Sequence, residues 1–302
     1  MTAPGGAGGL SGRSAAAYGE HVRAHGLVRK LPRAAASDHV CWVYEDDDDA
    51  FDEALRDFVA GGLERGERLL CVGDAVIDRL RDTGLDELID SGTLETLTLA
   101  EAYAATQEFV PEQQLAYYHA AVQRAVDDGY RGLRVIADVT AIAHDPDRRA
   151  ELVRWEHLAD EFSARGAGFS AMCAYSAGLP AEALTEAASV HPAAHAPEAL
   201  TDFRLFFDDG RLVLAGTVDF FSAPRLAALL AASPAGPDGV VLDVSLLEFL
   251  DVAACRTLGR WVRDAPRGPV TIRGASPLFR RMWRLLELDQ IAPVAFVAGP
   301  ST

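Results

Sequence analysis

The sequence is almost without lysine. Lys30 is its one lysine, and Leu31 follows it. A phosphate-binding loop needs Gly-x-x-x-x-Gly-Lys-Ser/Thr, in which the lysine neutralises the β and γ phosphates and the hydroxyl holds magnesium. A nucleotide site of that type is therefore excluded, and Schiff-base chemistry nearly so by the same count. Gly-x-Ser-x-Gly and His-Glu-x-x-His are missing too, which removes two common hydrolase signatures. Positive charge is scarce: 28 basic residues face 45 acidic ones, a formal net charge of −17. That is the wrong sign for neutralising phosphates, so no nucleic-acid partner is expected. The one basic stretch precedes Asp38, where Arg13, Arg23, Arg29, Lys30 and Arg33 outnumber Glu20. No window holds the roughly 18 consecutive apolar residues that span a bilayer, and the first residues lack the apolar core of a signal peptide. No membrane partner and a cytoplasmic location are expected. Four cysteines, Cys41, Cys71, Cys173 and Cys255, form no Cys-x-x-Cys pair; they read as buried reduced thiols. The sequence calls for no cofactor.

What is present is an ordinary globular composition, 302 residues with 49% hydrophobic and 24% charged, a length that suggests two domains. Residues 1–36 are rich in Gly, Ala and Ser and read as a flexible leader, with a short helix around Ala15–Ala24. From His39 strands and helices alternate. Strands are predicted at His39–Tyr44, Arg68–Val72, Leu94–Leu99, Leu133–Val139 and Phe169–Tyr175. Helices are predicted after the acids Asp46–Asp49, over Ala75–Arg81, from Pro111 to Gly129, over Arg148–Arg165 and from Pro180. That alternation implies βαβ units and a mostly parallel sheet covered on both faces. The first domain is placed at 37–190, and residues 191–200, with Pro192 and Pro197, read as a linker.

The second domain, 201–302, begins with a hairpin, Phe203–Phe207 and Leu212–Val218 joined by Asp208-Asp209-Gly210, a turn signal. Helices follow at Ser222–Leu230, after Asp251 and after Ser276-Pro277, with strands at Val240–Val244, Val270–Ile272 and Val294–Val297. The domain is α/β with a mixed sheet.

Four stretches of this half, Leu212–Asp219, Val240–Ser245, Glu248-Phe249-Leu250-Asp251 and Leu285–Leu288, resemble the STAS domain of anti-sigma factor antagonists. The resemblance implies an anti-sigma factor or serine-kinase-like partner docked on the helix that follows the Asp of the motif. It implies partner-binding roles for Asp251, Val252, Ala253, Ala254 and Arg256. The serine that serves as phosphorylation switch directly after that Asp is replaced by Val252, so no phosphorylation is expected there. Asp251 has another reading, as the cap of its helix.

The first half resembles the MEDS family, the methanogen and methylotroph sensory domain. The resemblance rests on His39–Tyr44, Gly62–Glu67, Gly92-Thr93-Leu94, Gly129–Arg134, Met172–Tyr175 and His191-Pro192. It implies a RecA-like parallel-sheet core without the phosphate loop, sensing a small apolar or hydrocarbon-derived molecule for an attached output module.

Ligands of open parallel sheets bind outside the carboxyl ends of the strands. Those ends bring Tyr44, Asp74, Glu101, Tyr103, Asp138, Thr140, His144 and Tyr175 to one edge, of which Tyr44, Tyr103, Asp138 and Tyr175 are the chosen ligand candidates. His39 and Cys173 belong to the MEDS resemblance and are added as polar or soft groups of a sensory pocket. Each has a plainer reading, His39 as a hydrogen-bonded structural histidine near the opposite edge and Cys173 as core. His191 and His195 have the spacing of a helical metal pair, but Pro192 and Pro197 interrupt the helix, and no metal is expected. The acids Glu45–Asp49 read as a solvated helix N-terminus. The resulting expectation is a signalling protein, not an enzyme, in which ligand replaces kinase control of the STAS-like domain. The alternatives are a catalyst on a RecA-like fold, with Asp138 or Glu101 as base, and a pure protein-binding scaffold.

Overall fold

In the computed structural model the described residues are 23, 25–29, 39–46, 48–104, 109–196, 199–234, 239–264 and 268–299, with the side chains at 103 and 104 excepted. Most of the leader, its expected helix Ala15–Ala24 included, lies outside the described residues.

The first half is built from β1 (Gly26–Leu27), β2 (His39–Tyr44), α1 (Asp49–Arg65), β3 (Arg68–Val72), α2 (Asp74–Leu80) and α3 (Asp86–Asp90), followed by β4 (Leu94–Leu97) and α4 (Leu99–Ala104). Then come α5 (Pro111–Asp127), β5 (Leu133–Asp138), α6 (Thr140–His144), α7 (Arg149–Ala164), β6 (Phe169–Ser176), α8 (Ala181–Val190) and β7 (Ala193–His195). Seven strands form one sheet in the order β1-β7-β2-β6-β5-β3-β4. Every neighbouring pair is parallel. Two corrections to the expected domain limits follow. The stretch read as a linker contributes β7, which pairs with β2 through Val40–Trp42. The leader contributes β1, which pairs with β7. Short strands of two and three residues carry too little alternation to be seen in a sequence.

Strand alternation sorts the side chains. Cys41, Val43, Cys173 and Tyr175 pack with α5, α7 and α8 on one face, while Val40, Trp42, Tyr44, Met172 and Ala174 pack with α1 and α2 on the other. Both faces being covered, β2 and β6 are buried nearly throughout, as parallel strands usually are.

The second half runs β8 (Phe203–Asp208), β9 (Arg211–Val218), α9 (Ala223–Ala232), β10 (Val240–Asp243), β11 (Leu247–Leu250), α10 (Val252–Asp264), β12 (Val270–Arg273), α11 (Pro277–Leu285), α12 (Leu288–Ile291) and β13 (Val294–Val297). The order is β11-β9-β10-β12-β13, with β8 antiparallel to β9 as the hairpin predicts. The sheet is mixed.

The two halves share a core. Helix α7 lies between the first sheet and the second domain, touching β6 and β2 on one side and β8 and α9 on the other. Val153 of α7 and Val190 of α8 belong to the same buried cluster as Phe203, Phe207 and Leu229. Residues buried around nearly the whole circumference of α7 include Glu156, His157 and Asp160. Such a helix is not a surface helix, and its buried charges require partners.

Candidate functional site

Two places in the first half gather polar side chains. At the carboxyl edge of the sheet the Tyr44 hydroxyl donates to Asp138 Oδ2 at 3.4 Å, and the Thr140 backbone N–H donates to Asp138 Oδ1 at 2.9 Å. Asp138 presses on Gly73, where an added Cβ would lie 2.8 Å from the Asp138 Cβ. In the loop before α1 the Asp48 carboxylate accepts from Ala50 N and Phe51 N. These are donors that a phosphate at a helix N-terminus would use, and an aspartate already holds them. Asp48 is thus the cap of α1, and the loop carbonyls of Glu45 and Asp48 accept from Arg79.

Beneath Asp138, between the sheet and helices α5 and α7, lies a cavity of about 20 Å³ lined by Val72, Val135, Phe109, Tyr118, Trp155 and Cys173 among others. That is room for about one water or a ligand of very few heavy atoms, in mainly apolar surroundings.

The other place is fully buried at the amino end of β2, against α7. His39 Nδ1 lies 3.1 Å from Asp160 Oδ1 and Nε2 lies 3.2 Å from Glu156 Oε2. Each ring nitrogen faces a carboxylate oxygen, which is the arrangement of an imidazolium donating twice. Burial alone would lower the His39 pKa, but the hydrogen bonds to Asp160 and Glu156 outweigh it and raise it. The Cys173 thiol donates to Glu156 Oε2 at 3.3 Å and the Tyr175 hydroxyl to Glu156 Oε1 at 2.7 Å. Burial, then Glu156, raises both groups well above their ordinary values. His191 Nδ1 lies 2.8 Å from the Ala187 carbonyl, and its ring stacks on His39 with centroids 4.2 Å apart. Burial and the neighbouring His39 lower the His191 pKa. Burial works against the Glu156 carboxylate, yet His191 and His39 hold it well below the usual range.

Asp160 extends this cluster across the junction. Its Oδ1 accepts from the Arg23 guanidinium at 2.7 Å and its Oδ2 from the Phe207 backbone N–H of β8 at 2.6 Å. Burial is again outweighed, here by Arg23 and His39, and Asp160 is brought down to about 2. The Arg23 guanidinium also donates to the Phe207 carbonyl at 3.1 Å.

The six ligand candidates from the sequence therefore part company. Tyr44 and Asp138 meet at the carboxyl edge, whereas His39, Cys173 and Tyr175 meet in the buried cluster. Tyr175 is the corrected one: alternation along β6 turns it onto the α7 face, where it is wholly buried and not open to the crevice. Tyr103 falls in α4, and its side chain lies outside the described residues. His191 and His195 lie apart: His195 stacks on Trp42 at 3.8 Å while His191 enters the cluster. Glu156, Asp160 and Arg23 are members that the sequence does not single out, and His191 stands out there only through its spacing to His195 and the His191-Pro192 match. The signal for two of them is the four-residue spacing of Glu156 and Asp160, which sets both beside the stripe Leu152, Trp155, Ala159.

On the second domain Asp251 Oδ1 accepts from Ala254 N at 2.8 Å, a helix cap. Val252 and Arg256 are exposed and Ala253 half-buried, but Ala254 is buried in the core, so its side chain cannot face a partner. Beside them is an open groove of about 560 Å³ lined by Phe220, Pro224, Ala253, Arg256, Leu286 and Ile291 among others. Phe220, Phe221 and Leu285 stand 68%, 87% and 70% exposed around it, an apolar patch of the kind that marks a protein-contact surface.

The chain is a parallel α/β domain without a phosphate loop, packed through a helix on a smaller mixed-sheet domain that carries an exposed apolar groove. Residues 38–192 match the model of the methanogen/methylotroph, DcmR sensory (MEDS) domain, and the chain belongs to that family. Residues 202–296 match another model, described as Mlab, STAS domain. No curated protein matches the chain. A MEDS domain followed by a STAS domain is the composition of a signalling protein, and among the described residues no helix is long and apolar enough to cross a membrane.

Proposed function

We propose that the protein is a ligand-responsive regulator and not a catalyst. A small, largely apolar molecule of the hydrocarbon-derivative class binds the MEDS domain and changes the affinity of the STAS face for an anti-sigma factor or serine-kinase-like protein. The observation that carries this reading is the shared helix. Cys173 lines the small cavity and donates to Glu156; one turn further along α7, Asp160 holds the Phe207 N–H of the STAS domain. A ligand that shifts β6 or α7 therefore reaches the second domain through the packed groups of α7, β8 and α9. The groove beside Val252, Ala253 and Arg256 supplies the partner surface, and with no serine after Asp251 its control passes from phosphorylation to ligand.

The test uses the intact chain immobilised for surface plasmon resonance against anti-sigma kinases of the native host, with and without one- to three-carbon alcohols and haloalkanes. The expected result is capture of one kinase, with an affinity changed about 5–150-fold by one ligand class, the range of typical coupling energies. Equal affinity with every ligand removes the coupling. Failure of all kinases to bind removes the antagonist role.

A further inference from the structure

We propose that His39, Glu156, Cys173 and His191 form a closed four-ligand site for a divalent metal of the zinc class. Their donor atoms all lie within 4.8 Å of one another, and all four residues are buried. Four of the six separations between donors are 3.2 Å (His39 Nε2 to Glu156 Oε2), 3.3 Å (Cys173 Sγ to Glu156 Oε2), 3.4 Å (His191 Nε2 to Glu156 Oε2) and 3.7 Å (Cys173 Sγ to His39 Nε2). A tetrahedral zinc ion, with bonds of about 2.0–2.3 Å to N, O and S, sets its ligands about 3.3–3.6 Å apart. The cluster thus has the size of such a coordination shell without rearrangement of the backbone.

The surrounding groups point the donors inward. His191 Nδ1 faces a carbonyl, which only accepts, so Nδ1 carries a proton, and in the neutral ring Nε2 is a lone pair. That Nε2 has no hydrogen-bond partner among the described residues, yet it sits 3.4 Å from a carboxylate oxygen, which is also an acceptor. Two such acceptors facing each other in a dry interior need a proton or a metal cation between them, and the two further donors, His39 Nε2 and Cys173 Sγ, favour the metal. His39 Nδ1 is held by Asp160, and Glu156 Oε1 by the Tyr175 hydroxyl, leaving His39 Nε2 and Glu156 Oε2 for the centre. Each ligand except the thiol therefore has an outer partner fixing its orientation, as metal-binding histidines and carboxylates have.

The charge balance also closes. As the ion enters, the Cys173 thiol proton and the proton on His39 Nε2 leave to solvent, so one dication replaces two protons and the buried charge is unchanged. Two imidazoles, a thiolate and a carboxylate suit zinc better than magnesium or calcium, which take oxygen ligands. With all four positions filled by protein the site would be structural, tying β2, β6, α7 and the end of α8 together. The proposal stands apart from partner binding, because its readout is metal content.

The intact chain, purified without a histidine tag, is stripped with a chelator, loaded with zinc, desalted and its metal counted by plasma mass spectrometry. One zinc per chain is expected. Replacement by cobalt(II) is expected to give tetrahedral visible absorption and a thiolate charge-transfer band. His191→Ala should lose the metal, Cys173→Ser the charge-transfer band, and His195→Phe should keep both. Substoichiometric zinc in the folded wild type, a cobalt spectrum without the thiolate band, or full metal in His191→Ala would each overturn the site. If His191→Ala and Cys173→Ser fail to fold, native mass spectrometry of the wild type decides between one bound zinc and none.

Discussion

Helices α7 and α10 depart from the usual inside-outside rule in opposite directions. Helix α7 buries Glu156, His157 and Asp160, and each of the two carboxylates is met by several donors. Helix α10 buries Ala254, Cys255 and Leu258 in the ordinary way, but exposes Val252, adjoining Ala253 of the groove that Phe220 also lines. A buried charge and an exposed large apolar group are the two informative exceptions to hydrophobic burial. Here the buried charges mark the place where the two domains are joined, and the exposed apolar groups mark the surface left for something else. A buried charge here has its partner within the chain, whereas an exposed apolar face is open to a partner outside it.

The largest loss of stability is expected at Asp160. Asp160→Ala leaves His39 and Arg23 without their shared carboxylate and the Phe207 N–H unpaired, and it should cost about 3–5 kcal/mol, the range for opening a buried ion pair. Urea unfolding of the intact chain measures it; a loss below about 1 kcal/mol would mean that the junction does not depend on this contact. Gly73→Ala forces an alanine into φ +111° and its Cβ against Asp138, with an expected cost of about 1–3 kcal/mol in the same assay. Asp251→Ala removes the bond to Ala254 N and should cost about 1 kcal/mol. Phe221→Ser should change stability by less than about 0.5 kcal/mol, because the ring is exposed, while weakening kinase capture by about 2 kcal/mol, near thirtyfold, if the groove is a contact hot spot. Unchanged capture would move the partner surface elsewhere.

Much of the architecture is legible in the sequence. Strands β2, β3, β5 and β6 are continuous apolar runs bounded by turn residues, and the hairpin β8–β9 carries its own turn signal in Asp209-Gly210, both of which take positive φ. Residues of the MEDS and STAS resemblances fix the order of the two halves. The buried cluster is only half legible. His39, Cys173 and Tyr175 can be named from the sequence, but β2 and β6 are apolar on both faces, so period alone does not say which way Tyr175 turns. Glu156 and His191 are 35 positions apart and meet only because α8 returns its end to the sheet beside α7. Arg23 lies in a stretch whose composition reads as leader, and its role follows from a contact with β8 that no local pattern encodes.

That contact has a consequence for the order of assembly. Strand β1 is made early, yet its partner β7 lies at 193–194, and Arg23 binds Asp160 and the Phe207 carbonyl. Arg23 and β1 therefore lack their partners until residues 160, 193–194 and 207 have been made. Contacts across such sequence separations close late. A stretch ahead of the first sheet's core strands thus ties that sheet to the STAS hairpin, and a substitution at Arg23 would act on this junction while leaving the pairing of β2 with β6 untouched.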